Sequence, residues 1–189
     1  MRNQLLKTSL LSGLTGGVVF SVFFFIVQIF YPNPFLEFPK SLDFFIYLLT
    51  LVATMYYFRF RQNGGVLHFG QAFLMGIIVT ASILLISVLF LWIYLYLINP
   101  SVNDIYASYM IGEFTNSKQA FIDYWNDKGH NGQDIYRQTM ANLQTRDWPG
   151  FLMYSEILQK SFAGFFLTFI ISAVMRGGTQ KKSEKPLMN

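Results

Sequence analysis

The sequence predicts an all-α membrane protein: a four-transmembrane-helix bundle with an outward helical segment between spans three and four. Three features carry that expectation. No charged side chain occurs between Lys7 and Glu37; further apolar stretches run over Leu42–Phe58, Phe69–Ile98 and Ile157–Met175; and a polar segment, Asn99 to Pro149, separates the last two. An apolar run of this length crosses lipid as a helix, because a helix satisfies its backbone hydrogen bonds within its own segment. Composition agrees. Of the 189 residues 53% are apolar and only 13% are charged, against about 25% charged in soluble domains.

The net charge of +4 does not point to nucleic acid. The basic residues flank the apolar runs, where they act as topology signals and not as a phosphate-binding face. The chain has no cysteine, which excludes disulfides, thiolate metal sites and cysteine nucleophiles. Nothing implies a cofactor.

The spans are expected at about 9–31, 42–58, 72–98 and 157–175. The first follows Arg2 and Lys7 as a signal peptide would, yet it is too long for a signal core and no small-x-small cleavage pattern follows it. The second opens on Asp43 and closes at Arg59 and Arg61. The third stops at Asn99-Pro100, since proline cannot continue helical hydrogen bonding. The fourth closes at Arg176. Lysine and arginine cluster at the N-terminus, at Arg59 and Arg61, and at Arg176, Lys181, Lys182 and Lys185; the first connection has only Lys40 against Glu37, and the long third connection is net acidic. The positive-inside rule then puts both termini in the cytoplasm and residues 99–150 outside. Tyr56, Tyr57 and Phe58 at one end of the spans, and Trp92, Tyr94, Tyr96, Trp148 and Tyr154 at the other, suit headgroup anchoring.

Residues 99–150 are expected to form an extracytoplasmic amphipathic helical insertion. Ile105, Tyr106, Tyr109 and Met110, then Phe121, Tyr124 and Trp125, then Ile135, Tyr136, Met140 and Leu143 recur at helical spacing. Asn116-Ser117 and Gly129-His130-Asn131-Gly132 separate them as turns or caps, and Asp147-Trp148-Pro149-Gly150 leads into span four. Two or three short helices give too little core for a free-standing domain, so they should act as a lid or platform.

Four polar residues form a candidate cluster at the outer ends of the spans: Gln28, Asp43, Glu156 and Lys160. Fifteen residues separate Asp43 from Arg59, and fifteen separate Lys160 from Arg176. Fifteen helical residues rise about 22 Å, less than a hydrocarbon core of about 30 Å, so Asp43 and Lys160 belong inside its edge. Ionisable groups at such depth pair with one another or face a wet cavity. The two readings are a site for a ligand or partner headgroup and an interhelical ion pair with Lys160 snorkelling outward. Asp127, His130 and Asp134, with Asp123, carry metal-ligand atoms, but their spacing matches no metal motif and a solvated acidic face is the default.

Small residues recur every fourth position: Gly13 and Gly17 in span one, Ala72, Gly76 and Thr80 in span three, Gly164, Thr168 and Ser172 in span four. Such faces let helix backbones approach closely. They serve packing within the bundle or, alternatively, a homo-oligomer. Neither a Ser-His-Asp set nor a phosphate-binding loop occurs, and an enzyme is not expected.

The run His68-Phe69-Gly70-Gln71-Ala72-Phe73 with Gly76, the Ile98-Asn99-Pro100 ending and the Ser172-Ala173-Val174-Met175-Arg176 finish resemble a bacterial membrane-protein family labelled domain of unknown function 4199. The resemblance implies an inner-membrane protein with no assigned activity. It also implies neighbours of the polyprenyl-phosphate glycosyltransferase type, and hence a role near envelope glycan or lipid handling. The function expected is an accessory or assembly subunit acting through contacts of its helices and outward segment. The alternative is a carrier or binding protein for a lipid-linked or small envelope substrate, using the polar cluster. Membrane lipids are expected partners, with Lys181, Lys182 and Lys185 suited to anionic headgroups.

Overall fold

A computed structural model describes residues 2–36 and 41–177. Glu37, Lys40, Lys181, Lys182 and Lys185 lie outside the described residues, as does the side chain of Arg2. Among the described residues the regular elements are all helices: α1 (Arg2–Phe30), α2 (Asp43–Tyr57), α3 (Phe69–Ile93), α4 (Ser101–Asn116), α5 (Lys118–Asp127), α6 (Gly132–Gln144) and α7 (Trp148–Met175). Helix α2 continues as a π-helical segment, Phe58–Gln62, and α3 as another, Tyr94–Ile98. Four helices are long and apolar enough to cross a membrane: Asn3–Phe30, Asp43–Gln62, Phe69–Ile98 and Trp148–Met175. The all-α membrane fold follows from these.

Helix α7 starts nine residues ahead of the apolar run at 157. The reason is local. Asp147 accepts the Gly150 amide at 3.2 Å on its side chain and the Phe151 amide at 3.0 Å on its backbone. Pro149 then sits in the first turn, where its fixed φ suits a helix and its missing N–H is not needed. Helix α3 starts in a related way: the side chain of Gln71 accepts the His68 amide at 3.3 Å, the return half of a capping box.

The chain divides into two compact units, Met1–Phe23 with Leu42–Ser87 and Leu158–Asn189, and Phe24–Ser41 with Val88–Ile157. The first has a core of Leu5, Leu51, Met55, Phe58, Met75, Val79, Ile83 and Ile171, contributed by α1, α2, α3 and α7. Its helices meet at their small residues. A Cβ on Gly13 would stand 2.5 Å from Ser82 Cβ, and one on Gly17 2.6 Å from Ile86 Cβ. Between α3 and α7, Gly76 lies against Thr168 and Gly164 against Thr80. Four residues forward on α3 thus matches four residues back on α7, an antiparallel register. Phe69 with Phe169 (centroids 5.8 Å apart) and Phe73 with Phe165 (6.0 Å) repeat that step along one side.

The end of this unit nearest Arg59 is tied by backbone. Leu67 and Gly177 exchange two hydrogen bonds, N to O at 2.9 and 3.0 Å. Arg59 donates from Nε to the Gly65 carbonyl at 2.9 Å and from Nη1 to the Met175 carbonyl at 3.0 Å, closing the last turn of α7. Gly64 (φ +59°) and Gly65 (φ +84°) make the turn that this needs, in a region side chains rarely adopt.

The second unit contains α4, α5 and α6. Phe24 packs on Phe90 (5.8 Å) and Tyr94 (5.1 Å), and Phe114 on Phe121 and Tyr136 (5.0 Å each). The Asn99-Pro100 stop is organised by buried Asn103, whose amide donates to the Leu95 and Pro100 carbonyls at 3.0 Å each. Tight packing joins α5 to α6: a Cβ on Gly132 would press on the Ile122 carbonyl, and the Gly132 amide donates to Asn126 Oδ1 at 2.9 Å.

Candidate functional site: the Asp43–Lys160 pair

Asp43 is the first residue of α2, where the positive end of the helix dipole favours a carboxylate. Lys160 stands on α7, in the same unit. Its Nζ lies 3.3 Å from Asp43 Oδ2, with side-chain exposures of 9% and 14%. The ammonium also lies 3.3 Å from the ring centroid of Phe20 on α1, a fully buried side chain. A desolvated cation on an aromatic face gains about 2 kcal/mol. One ion pair and one ring therefore bind three helices at one point.

The structure brings Asp43 and Lys160 together. Gln28, half-buried on α1, and Glu156, buried on α7, fall in the second unit. Phe20 is a residue that sequence reasoning misses. It sits among many phenylalanines in span one, and nothing in its spacing singles it out.

The outward candidates are placed differently. Asn131 caps α6, with its Oδ1 accepting the Asp134 amide at 3.2 Å and its Nδ2 donating to Asp134 Oδ2 at 2.7 Å. Asp134 also faces Arg137 at 3.9 Å. Exposed His130 stacks edge-on against Trp125 at 5.5 Å, and Asp127 is exposed at the end of α5. Among the described residues no three histidine, cysteine or acidic side chains gather closely enough to hold a metal ion. Tyr106, 5.6 Å from the Trp148 ring, has its hydroxyl pushed above the usual tyrosine range, first by burial and secondarily by Glu156 and Tyr109, with Arg146 opposing.

The packing residues do what close approach requires, with one oddity. The hydroxyls of Thr80, Thr168 and Ser172 are buried without a hydrogen-bond partner among the described residues. Each helix gains proximity there at the expense of a donor. The second unit also holds an open hollow of about 520 Å³, lined by Met110, Glu113, Phe114, Thr139 and Leu143 of α4 and α6. Asp43 and Lys160 do not line it.

Chemically, the Asp43–Lys160 pair is a largely desolvated contact between opposite charges. Its carboxylate is held by an ammonium, which suits helix cohesion more than proton transfer. An anionic group could replace Asp43 on Lys160, and that exchange is the binding chemistry the pair offers.

No curated protein and no solved structure matches the chain. The family model described as a protein of unknown function, DUF4199, matches residues 11–177. That match takes in most of the first apolar helix and all of the other three, the α4–α6 segment, Asp43 and Lys160, so the chain belongs to the DUF4199 family, whose function is unknown.

Proposed function

We propose that this protein is a non-enzymatic accessory or assembly subunit of a bacterial inner membrane, with both termini cytoplasmic and α4–α6 outside. The observation that carries the reading is the uncovered hollow on α4 and α6, where Met110, Phe114 and Leu143 present apolar surface outside the spans. Exposed Ile105, Tyr109 and Tyr124 extend the apolar and aromatic surface of the same segment. Aromatic and methionine side chains of this kind favour protein contacts. The orientation rests on Lys7, Arg59, Arg61 and Arg176, which flank one end of the spans. The partner chemistry we propose is that of a membrane glycosyltransferase acting on polyprenyl phosphates.

A photo-crosslinking amino acid at Leu143, in the native membrane, should give one discrete adduct, absent when Met110 is changed to aspartate. Mass spectrometry of that adduct names the partner. A chain that yields no adduct and purifies alone sinks the subunit reading.

The second reading, a carrier or binding protein for a lipid-linked or small envelope substrate, is favoured by the buried Lys160 ammonium. It requires the lone protein to carry a defined lipid or metabolite that Lys160→Leu loses while remaining folded.

A further inference from the structure

Helices α1 and α2 leave a trough between them in the first unit, at the end of the spans away from Asp43. Two hollows make it up, of about 410 and about 390 Å³, and they share Leu11, Ser12 and Tyr57. The inner part is bounded by Thr15, Gly16, Val19, Thr50, Ala53 and Thr54. Its threonines are already committed as donors. Thr15 donates to the Leu11 carbonyl at 2.9 Å, Thr50 to Ile46 at 2.6 Å and Thr54 to Thr50 at 2.6 Å. With those protons turned into their own helices, the three threonines offer methyl surface and no free donor, and the remaining hydroxyls, Ser12 and Tyr57, stand where the two hollows join. The inner part suits a hydrocarbon chain better than an ion or a file of water.

The mouth has the opposite character. Gln4, Lys7, Thr8 and Gln62 line it. Thr8 donates to Gln62 Oε1 at 2.9 Å, which leaves the Gln62 amide nitrogen as a donor in the same hollow that Lys7 lines. No carboxylate among the described residues of this unit opposes them. Asp43 is the one acidic residue among the described residues of this unit, and it opens α2 at the far end. Lys7, Arg59, Arg61 and Arg176 all belong to the mouth's end. From Lys7 to Val19, α1 rises about 18 Å. That is close to one leaflet, half of a hydrocarbon core of about 30 Å.

We propose that the trough binds one anionic glycerophospholipid. Its phosphate accepts hydrogen bonds from Lys7, Gln4 and Gln62, and one acyl chain lies along Gly16, Thr50 and Ala53. Headgroup charge and chain length are read by the two ends of a single site, separate from Asp43 and Lys160.

The test is native mass spectrometry of the full-length protein, purified in mild detergent and offered phosphatidylglycerol and phosphatidylcholine in equal amounts. One phosphatidylglycerol should be retained in preference, by roughly fivefold for the single lysine at the mouth. Lys7→Gln, at an exposed position, should abolish the preference. Ala53→Phe should abolish retention of either lipid by filling the trough from an exposed position. Arg61→Gln, which removes a nearby charge outside the trough, should leave the preference intact. Equal retention of the two lipids, or retention unchanged by both Lys7→Gln and Ala53→Phe, overturns the proposal. So does loss of preference in Arg61→Gln as large as in Lys7→Gln, which would mean diffuse surface charge. If Ala53→Phe fails to fold, Lys7→Gln against Arg61→Gln still decides.

Discussion

Gly76 on α3 lies directly against Thr168 on α7, so closely that a Cβ on the glycine would meet the threonine's Cγ2. The contact is repeated with the roles exchanged, Gly164 on α7 against Thr80 on α3. Each helix supplies the hole for the other's knob, which fixes their register without a polar bond. Without a hydrophobic drive between helices in lipid, such van der Waals contact is the main cohesive term.

The first prediction separates shape from hydroxyl at this contact. Gly76→Ala should destabilise the protein by about 1–3 kcal/mol through overpacking. Thr168→Val keeps the shape and removes a buried hydroxyl that has no partner among the described residues, so it should be neutral or stabilising. Gly76→Ala with Thr168→Ala should recover much of the loss, since the second change opens the space the first one needs. Thermal unfolding in detergent measures these three and Thr168→Ala alone; strictly additive effects of Gly76→Ala and Thr168→Ala would mean the contact is not tight.

At Asp43 and Lys160 the prediction is also a pattern across variants. Changing either partner alone to leucine leaves a buried charge and should cost about 3–5 kcal/mol. Asp43→Leu with Lys160→Met together should recover most of it, because two apolar side chains can fill the same volume. If the double variant is stable yet loses a bound substrate, the pair is a binding site. If it is stable and keeps its crosslinked partner, the pair serves cohesion alone.

These features differ in how far the sequence betrays them. The spans are legible because a bilayer imposes one strong rule, and the stretch after Lys7 obeys it without a charge up to Glu37. The four-residue recurrence of Gly76, Thr80, Gly164 and Thr168 is legible for a similar reason, since it marks one face of a helix. Depth arguments give the height of a residue but not its azimuth. They place Asp43, Lys160, Gln28 and Glu156 near one level and cannot choose which of them meet. Phe20 is hidden because its role depends on Lys160 arriving from a distant helix. The early start of α7 is hidden because Asp147-Trp148-Pro149-Gly150 uses the same residue types as a turn. The π-helical ends at Phe58–Gln62 and Tyr94–Ile98 leave no mark in the residue pattern, although the first carries Arg59, which bonds Gly65 and Met175.

Arg59 supplies the third prediction. Its guanidinium bonds two carbonyls from separate parts of the chain, and each charged hydrogen bond is worth about 1.5–3 kcal/mol. Arg59→Lys presents a single flexible ammonium in place of a planar fork, so it should retain only part of that. Hydrogen exchange is the discriminating measurement. The amides of Leu67 and Gly177 should lose protection in Arg59→Ala, and to a smaller extent in Arg59→Lys, while those in the middle of α3 remain slow. Uniform loss across the helices would assign Arg59 a global role and not a local clasp.

The last prediction concerns Gly132 at the start of α6. Its φ is ordinary, so conformational freedom is not why glycine stands there. The reason is contact: a Cβ would press on the backbone carbonyl of Ile122, with the Ile122 carbonyl carbon at 2.9 Å and Asn126 Oδ1 at 3.0 Å. A backbone carbonyl inside α5 cannot swing aside as a side-chain tip can. Gly132→Ala should therefore separate α5 from α6, disturb the Phe114, Phe121 and Tyr136 stack, and weaken the Asn126 bond to the Gly132 amide. Limited proteolysis should then cut between residues 117 and 145 while the spans stay intact. The crosslink from Leu143 should be lost in the same variant, because its hollow is built by α4 and α6. Proteolysis without loss of the crosslink would show that the partner holds to α6 itself and does not need the hollow that α4 and α6 build together.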